Sequence, residues 1–182
     1  FATSEHGNIF DFVMKIQNLK FGEAVKHLAQ LAGMQPYMFS KQDEEREKKW
    51  KEYQSVFSQY VDFYHNELLK NESYSVARDY LKNRSLNKEE VKKFKIGYIE
   101  KNPNFFEKLK DNYSEQTLIE TGLFYLDEKK KIYVERFRGR LIFPINNISG
   151  QPIALGGRII ENVDYLAKYI NSPETNFFKK GS

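Results

Sequence analysis

An alternation of basic and apolar residues in the last third of this 182-residue chain most constrains its fold. Arg136, Arg138 and Arg140 stand two residues apart, with Phe137 and Leu141 at positions of the opposite parity. Because side chains at i and i+2 share one face of a strand, the pattern predicts a half-buried strand with an exposed row of guanidinium groups. Such a row either protects a sheet edge from aggregation or faces an anionic partner, for which a phosphate backbone is the first candidate.

A second strand is predicted directly after this row. Ser149-Gly150 is typical of a turn, and residues 152–160 have the composition of a strand, so the two strands are expected to form a hairpin. Gly156 and Gly157 lie within the second strand, where adjacent glycines either admit a ligand or another backbone, or mark a bulge. Three lysines, Lys168, Lys179 and Lys180, follow in a tail with the composition of a loop.

The positive charge of the chain is concentrated in the same region. From Lys129 onward there are ten Lys or Arg residues against four Asp or Glu, although the whole chain carries a net charge of only +4. This asymmetry favours a localised site for a polyanion. The absence of cysteine excludes disulfides and thiolate metal sites within the chain. No apolar run is long enough to span a membrane and no signal peptide is visible, so we expect a cytoplasmic protein.

Helical patterns dominate the first half of the chain. Asn8 has the position of an N-cap for one helix, and a second is predicted over residues 20–32. Aromatic and aliphatic residues then recur every three or four positions from Trp50 to Leu68, which predicts a long helix with a buried face. Since shorter strands and helices follow, the predicted class is α+β, with N-terminal helices preceding a mostly antiparallel β region.

Several sequence words resemble the bacterial replicative DNA primases of the DnaG type. They are R-F-R-G-R-L-I-F-P-I from Arg136, L-G-G-R up to Arg158, and K-Y-I-N-S-P-E-T from Lys168. Residues 6–12 and 21–29 are similar to the end of the family's zinc-binding module. The resemblance implies a partial zinc-binding module without its ligands at 1–34, a linker at 35–45, and the N-terminal subdomain of the RNA polymerase domain at 46–182.

The resemblance also implies a function. The parent enzyme would be a DNA-directed RNA polymerase that copies single-stranded DNA into short RNA primers from ribonucleoside triphosphates during replication. It would contact the replicative helicase through a region outside this chain. The family's nucleic-acid-binding positions fall on Arg84, Arg136, Arg138, Arg140, Arg158 and Lys180. Its nucleotide-binding positions fall on Lys168, Tyr169 and Asn171.

Metal chemistry is not expected from this chain. It contains no Asp-x-Asp pair, and in the family the acids that bind Mg²⁺ belong to a Toprim domain that would begin just beyond Ser182. We therefore expect the chain to be a fragment of the enzyme that cannot synthesise primers on its own. Thr3 stands where the family has its fourth zinc ligand, so the sequence does not decide whether this protein binds zinc. Two alternatives are a non-catalytic module that binds single-stranded nucleic acid and a regulatory nucleotide-binding domain.

Overall fold

The computed structural model describes residues 7–35, 40–161 and 165–180, in a chain that divides into two compact units, Phe1–Lys48 and Lys49–Ser182. The helices are α1 (Ile9–Gln17), α2 (Phe21–Leu31), α3 (Lys41–Lys70), α4 (Ser75–Asn83), α5 (Lys88–Lys93), α6 (Phe105–Leu109) and α7 (Glu115–Glu120). The strands are β1 (Gly97–Ile99), β2 (Phe124–Asp127), β3 (Ile132–Glu135), β4 (Arg140–Asn146), β5 (Pro152–Ile159) and β6 (Tyr169–Asn171). Among the described helices, none has both the length and the apolar character needed to cross a bilayer.

The first unit contains the two short helices that the sequence predicts. Helix α1 begins at a capping box, in which Asn8 Oδ1 accepts from the backbone N–H of Phe10 at 2.8 Å and the Asp11 carboxylate accepts from the Asn8 N–H at 2.8 Å. The rings of Phe10 and Phe21 pack with centroids 5.7 Å apart. Thr3, the residue on which the zinc question depends, lies outside the described residues.

The predicted linker is only partly described. Residues 36–39 lie outside the described part of the chain, and α3 begins at Lys41 after a cap made by Ser40 and Asp43. The last five residues of the 35–45 segment are therefore helical.

The aromatic face of α3 forms the centre of the second unit, as its spacing predicts. Tyr53, Phe57, Tyr60, Tyr64 and Leu68 are all buried. Their rings pack at angles to one another, for example Tyr60 against Tyr64 with centroids 4.9 Å apart. Each fully buried side chain of this size contributes roughly 1.5–3 kcal/mol to folding, so this face is a principal source of stability.

A four-stranded antiparallel sheet packs against this helix, in the order β1-β4-β5-β6, and β2 and β3 pair as a separate hairpin. The predicted β4–β5 hairpin is confirmed, with Leu141 opposite Arg158. Arg158 is also opposite Tyr169, and Gly156 is opposite Asn171. Because opposed residues share a face, these side chains lie on the sheet face away from the α3 core, which holds Ile142 and Leu155.

The predicted row of arginines on one strand is wrong. Residues 136–139 form a turn, and β4 begins only at Arg140. Gly139 adopts φ +71°, a left-handed conformation that ends the alternation of side chains on which the prediction depends. Arg136, Arg138 and Arg140 therefore do not share a strand face.

Arg140 in particular points into the protein, where it is only 5% exposed. Its Nη1 donates to the carbonyl oxygen of Lys168 at 3.3 Å. Burial lowers the pKa of its guanidinium, and the nearby charge of Arg138 lowers it further. Arg140 is thus a structural residue in this chain rather than part of an exposed row.

The prediction of a loop-like tail is also wrong for Tyr169–Asn171, which pair with β5 as strand β6. Ser172, which follows, is fully buried, and its hydroxyl accepts from the Leu155 N–H at 2.9 Å. This side chain extends the pairing beyond the last strand residue, so the tail becomes an ordered edge of the sheet.

Gly157 and its neighbour Gly156 offer a matched test of this packing. A Cβ on Gly157 would lie 2.5 Å from Cδ1 of the buried Phe137, whereas one on Gly156 would meet nothing closer than 3.4 Å. We therefore expect Gly157→Ala to lower the free energy of unfolding by about 1–3 kcal/mol, the usual cost of overpacking a core. Gly156→Ala is the control and should cause no loss. Urea unfolding measures both, and equal stabilities would contradict this packing.

The arginines offer a second test. Arg140→Ala should lower the free energy of unfolding by about 1–3 kcal/mol, because it removes a buried hydrogen bond and the packing of the aliphatic stem. Arg138→Ala, at an exposed position, should change it by no more than about 0.5 kcal/mol. Thermal unfolding of both variants checks the pair. Equal losses would mean that Arg138 is as structural as Arg140.

Candidate nucleic-acid interface

Strand β6 is held at both ends by groups that also fix arginines. At its start, the Lys168 carbonyl accepts from the Ile159 N–H at 3.0 Å as well as from Arg140. Just after its end, Pro173 packs against Gly122, where an added Cβ would lie 2.5 Å from Pro173 Cγ. The Gly122 carbonyl in turn accepts from Arg136 Nε at 2.7 Å. One arginine is therefore fixed near each end of the strand, Arg140 at its start and Arg136 just beyond its end. The remaining candidate arginines belong to two groups.

The first group places guanidinium groups over tyrosine rings. Arg158 lies over the ring of Tyr169 at 4.9 Å and over the ring of Tyr80, from helix α4, at 5.3 Å. Its Nη1 donates to the Tyr169 hydroxyl. Arg84, at the end of α4, lies over the same Tyr80 ring at 5.6 Å. We call these four residues the stacked cluster. It brings two cations to one ring, an arrangement that an anion would stabilise.

The second group surrounds Tyr125 of β2. Arg136 lies over its ring at 5.4 Å and Arg138 at 5.8 Å, and Arg138 Nη1 donates to the Tyr125 hydroxyl at 2.6 Å. Arg136 and Arg138 belong to the turn at 136–139, and we call them the turn arginines. Arg138 is exposed and Arg136 is half-buried. The turn thus concentrates two positive charges beside one aromatic ring.

The three residues that the resemblance implies to bind nucleotide are Lys168, Tyr169 and Asn171. All three are exposed, and they lie in strand β6 or directly before it. Lys168 precedes β6, Tyr169 is part of the cluster, and Asn171 shares its sheet face. Gly156 lies opposite Asn171, and Asn171 Oδ1 lies 3.4 Å from the position of an added Cβ, so the amide packs against this glycine. Side chains that can bond phosphate, sugar or base edges therefore line one strand.

Lys180 follows an anchored segment. Phe177 packs against Trp50 and Tyr53 of α3, with ring centroids 5.0 and 4.9 Å apart. The backbone N–H of Lys180 donates to the Glu174 carboxylate at 3.2 Å, while its side chain is exposed. The tail is therefore fixed to the core just before this lysine.

Sequence reasoning missed three residues that organise these groups. Arginines lie over the rings of Tyr80 and Tyr125. Neither tyrosine stands in a sequence pattern that distinguishes it from a core tyrosine. Glu135 is buried, and it accepts from the hydroxyls of Tyr60 at 2.8 Å and Tyr64 at 2.7 Å. It precedes the turn arginines directly in the chain, which was the available signal for its importance.

Burial shifts the pKa values of Glu135 and of the two tyrosines that bond to it. It raises the pKa of the Glu135 carboxyl, an effect that the bonds from the two tyrosines and from the Phe105 N–H oppose. Burial, and then the nearby carboxylate, raise the pKa values of Tyr60 and Tyr64 well above that of a free tyrosine. Both hydroxyls therefore stay protonated as donors at neutral pH.

Within the described residues, carboxylates do not neutralise the candidate positive charges. None of the seven candidate arginines and lysines forms an ion pair there. Over the same ranges, no group of three His, Cys, Asp or Glu residues has the geometry to hold a metal ion. The residues present thus suit the binding of an anion and do not suit a catalytic metal.

Comparison with known proteins identifies the family. The family described as "DNA primase catalytic core, N-terminal domain" matches residues 63–182. The DNA primase of Clostridium acetobutylicum is 36% identical over 185 residues, covering all of this chain and 30% of the relative. That of Buchnera aphidicola is 35% identical over 189 residues, covering all of this chain and 31% of the relative. The chain thus spans about 30% of the length of these relatives.

Comparison with solved structures indicates the same family. A DnaG primase catalytic domain bound to single-stranded DNA is 31% identical, with a TM-score of 0.66 over 74% of this chain and 41% of that one. The Aquifex aeolicus primase, containing zinc-binding and RNA polymerase domains, is 30% identical, with a TM-score of 0.63 over 96% of this chain and 41% of that one. The predicted α+β class is confirmed by these neighbours. With its sequence and its fold both matched, this chain belongs to the DnaG-type DNA primase family.

Proposed function

We propose that this chain is the part of a DNA primase that grips nucleic acid beside the catalytic centre. The parent enzyme would copy single-stranded DNA into short RNA primers from ribonucleoside triphosphates. The observation that carries the proposal is the gathering of unneutralised arginines around β6, on tyrosine rings that fix their direction. A relative of similar fold is described as bound to single-stranded DNA, which supports the same partner here.

The chemistry of the residues suits a polynucleotide backbone. An arginine presents a planar fork of donors that matches two phosphate oxygens, and stacking on an aromatic ring reduces the entropy lost when it binds. Arg158 and Arg84 on Tyr80, and the turn arginines on Tyr125, have this character. We assign these four arginines to the strand backbone, with Lys180 as a further contact. Arg140 is left out of this set because it is buried.

The second part of the proposal concerns the incoming nucleotide. Lys168 supplies a compact charge for a triphosphate, and Asn171 supplies an amide for a ribose or base edge. Tyr169 positions Arg158 through its ring and its hydroxyl, and the exposed part of its ring is available to stack on a base. The exposure of Lys168, Tyr169 and Asn171 supports this assignment, since a nucleotide could reach all three side chains from solvent.

The proposed domain layout follows the family. Residues 1–34 would close a zinc-binding module, 35–45 would link it, and 46–182 would form the N-terminal subdomain of the polymerase domain. The 96% coverage by a primase with zinc-binding and RNA polymerase domains supports this division.

We assign magnesium and the helicase contact to other parts of the parent enzyme. The chain has no cysteine, and its described ranges hold no group of three His, Cys, Asp or Glu residues suited to a metal ion. As the family resemblance implies, the Mg²⁺ acids would lie in a Toprim domain and the helicase contact in a further region, while zinc binding depends on residues outside the described ranges. We place the parent enzyme in the cytoplasm with the replication machinery.

Removal of one exposed arginine tests the proposed surface. We expect Arg138→Ala to weaken binding of a fluorescent oligothymidylate about tenfold without changing the melting temperature, because it removes a phosphate contact from a folded surface. The slope of log K against log salt concentration should become shallower by about 0.7, the value for one single-strand phosphate. Fluorescence anisotropy at several salt concentrations measures both quantities.

The matched control is Lys130→Ala, which removes the same charge from the exposed loop between β2 and β3. Its affinity should stay within about twofold of the unmodified chain. If both variants lose affinity equally, net charge rather than the arginine surface binds the oligonucleotide, and the proposal fails.

A further inference from the structure

A groove with an apolar floor lies on the second unit, between the end of α3 and helices α4 and α5. Its volume is about 530 Å³, and its floor is formed by aliphatic side chains, among them Leu68, Leu81, Leu86 and Val91. Leu68, Leu81 and Val91 are members of the smaller of the two cores of the unit, so the groove opens directly onto a packed interior. Leu69 and Leu86 of the lining are only partly buried, so a further apolar group can cover the rest of their surface.

The charged residues at the rim of the groove are positive. Among the described residues, Arg78, Lys82 and Lys88 line it and no acidic residue does. Arg78 is held firmly, since its Nη1 donates to the carbonyls of Leu68 at 2.9 Å and Asn71 at 2.7 Å. Lys82 and Lys88 are exposed and form no ion pair with a described residue. The groove therefore combines an apolar floor with two available cations.

Helix α4 separates this groove from the arginine surface. At 100° per residue, Arg78 and Lys82 lie on one side of the helix, and Tyr80 and Arg84 lie on nearly the opposite side. Tyr80 contacts Arg158 of the stacked cluster, while Lys82 lines the groove. One helix thus presents two different surfaces, and a ligand in the groove need not touch the stacked cluster.

We propose that this groove docks a peptide segment of a partner protein, one that carries two or more aliphatic or aromatic side chains flanked by carboxylates. The aliphatic floor would bury the apolar side chains, and Lys82 and Lys88 would attract the carboxylates. Nucleic acid fits less well, since no aromatic side chain lines the groove to stack a base, and the floor offers nothing to a phosphate.

The test uses a fluorescent ten-residue peptide in which leucine and phenylalanine alternate with pairs of aspartates. Anisotropy should show saturable binding to the whole chain, and the same peptide with every aspartate replaced by asparagine should bind at least tenfold more weakly. In methyl NMR spectra, the signals of Leu86 and Val91 should shift on addition of the peptide, while those of Leu123 in the main core should not.

Paired charge reversals distinguish binding in the groove from attraction by the net charge of the chain. The variant Lys82→Glu with Lys88→Glu should bind the peptide at least tenfold more weakly and bind oligothymidylate as before. The control, Lys129→Glu with Lys130→Glu, changes the net charge equally at the exposed loop between β2 and β3 and should keep peptide affinity within about twofold.

Four results would overturn the inference. The peptide could fail to bind, or bind equally to both reversed variants, which would exclude the groove. Oligothymidylate could displace it, which would place the peptide on the arginine surface. The Lys82 and Lys88 reversal could weaken oligothymidylate binding instead, which would make the groove a nucleic-acid site. None of these results would by itself refute the proposed primase function, because that rests on Arg138 and its neighbours.

Discussion

The three hydrogen bonds to the buried carboxylate of Glu135 hold the second unit in register. Tyr60 and Tyr64 donate from α3, and the Phe105 N–H donates from the start of α6, so one side chain of β3 joins three elements. A carboxylate is costly to bury, and losing one partner of such a network typically costs several kcal/mol. The three hydrogen bonds therefore fix α3, β3 and the start of α6 relative to one another.

This fixed arrangement explains how a surface of like charges persists. The turn at 136–139 follows Glu135 directly, so the carboxylate that is bonded to α3 also places the turn arginines. Tyr125 and Tyr80 then orient the guanidinium groups through their rings. Repulsion between the arginines opposes folding, and the aromatic core of α3 supplies enough stabilisation to offset it. Binding of a polyanion would remove this repulsion.

Local signals in the sequence predicted much of the fold, and long-range contacts account for what they missed. The capping residues, the aromatic face of α3 and the β4–β5 hairpin follow from spacing and turn chemistry alone. The arginine row failed because Gly139 breaks the alternation with a left-handed conformation, which its residue type had signalled. Strand β6 and the burial of Arg140 could not be foreseen, since both depend on pairing between distant segments. The family resemblance selected the candidate arginines, and the fold shows which of them lie over tyrosine rings.

We propose that β6, the stacked cluster and the turn arginines form one nucleic-acid surface. Amide hydrogen exchange of the chain, with and without saturating oligothymidylate, distinguishes this surface from diffuse electrostatic binding. We expect slower exchange in β5, β6 and the turn at 136–139, with no change in the loop between β2 and β3 or in α5. Protection confined to the first unit, or spread evenly over basic segments such as residues 129–131, would contradict it.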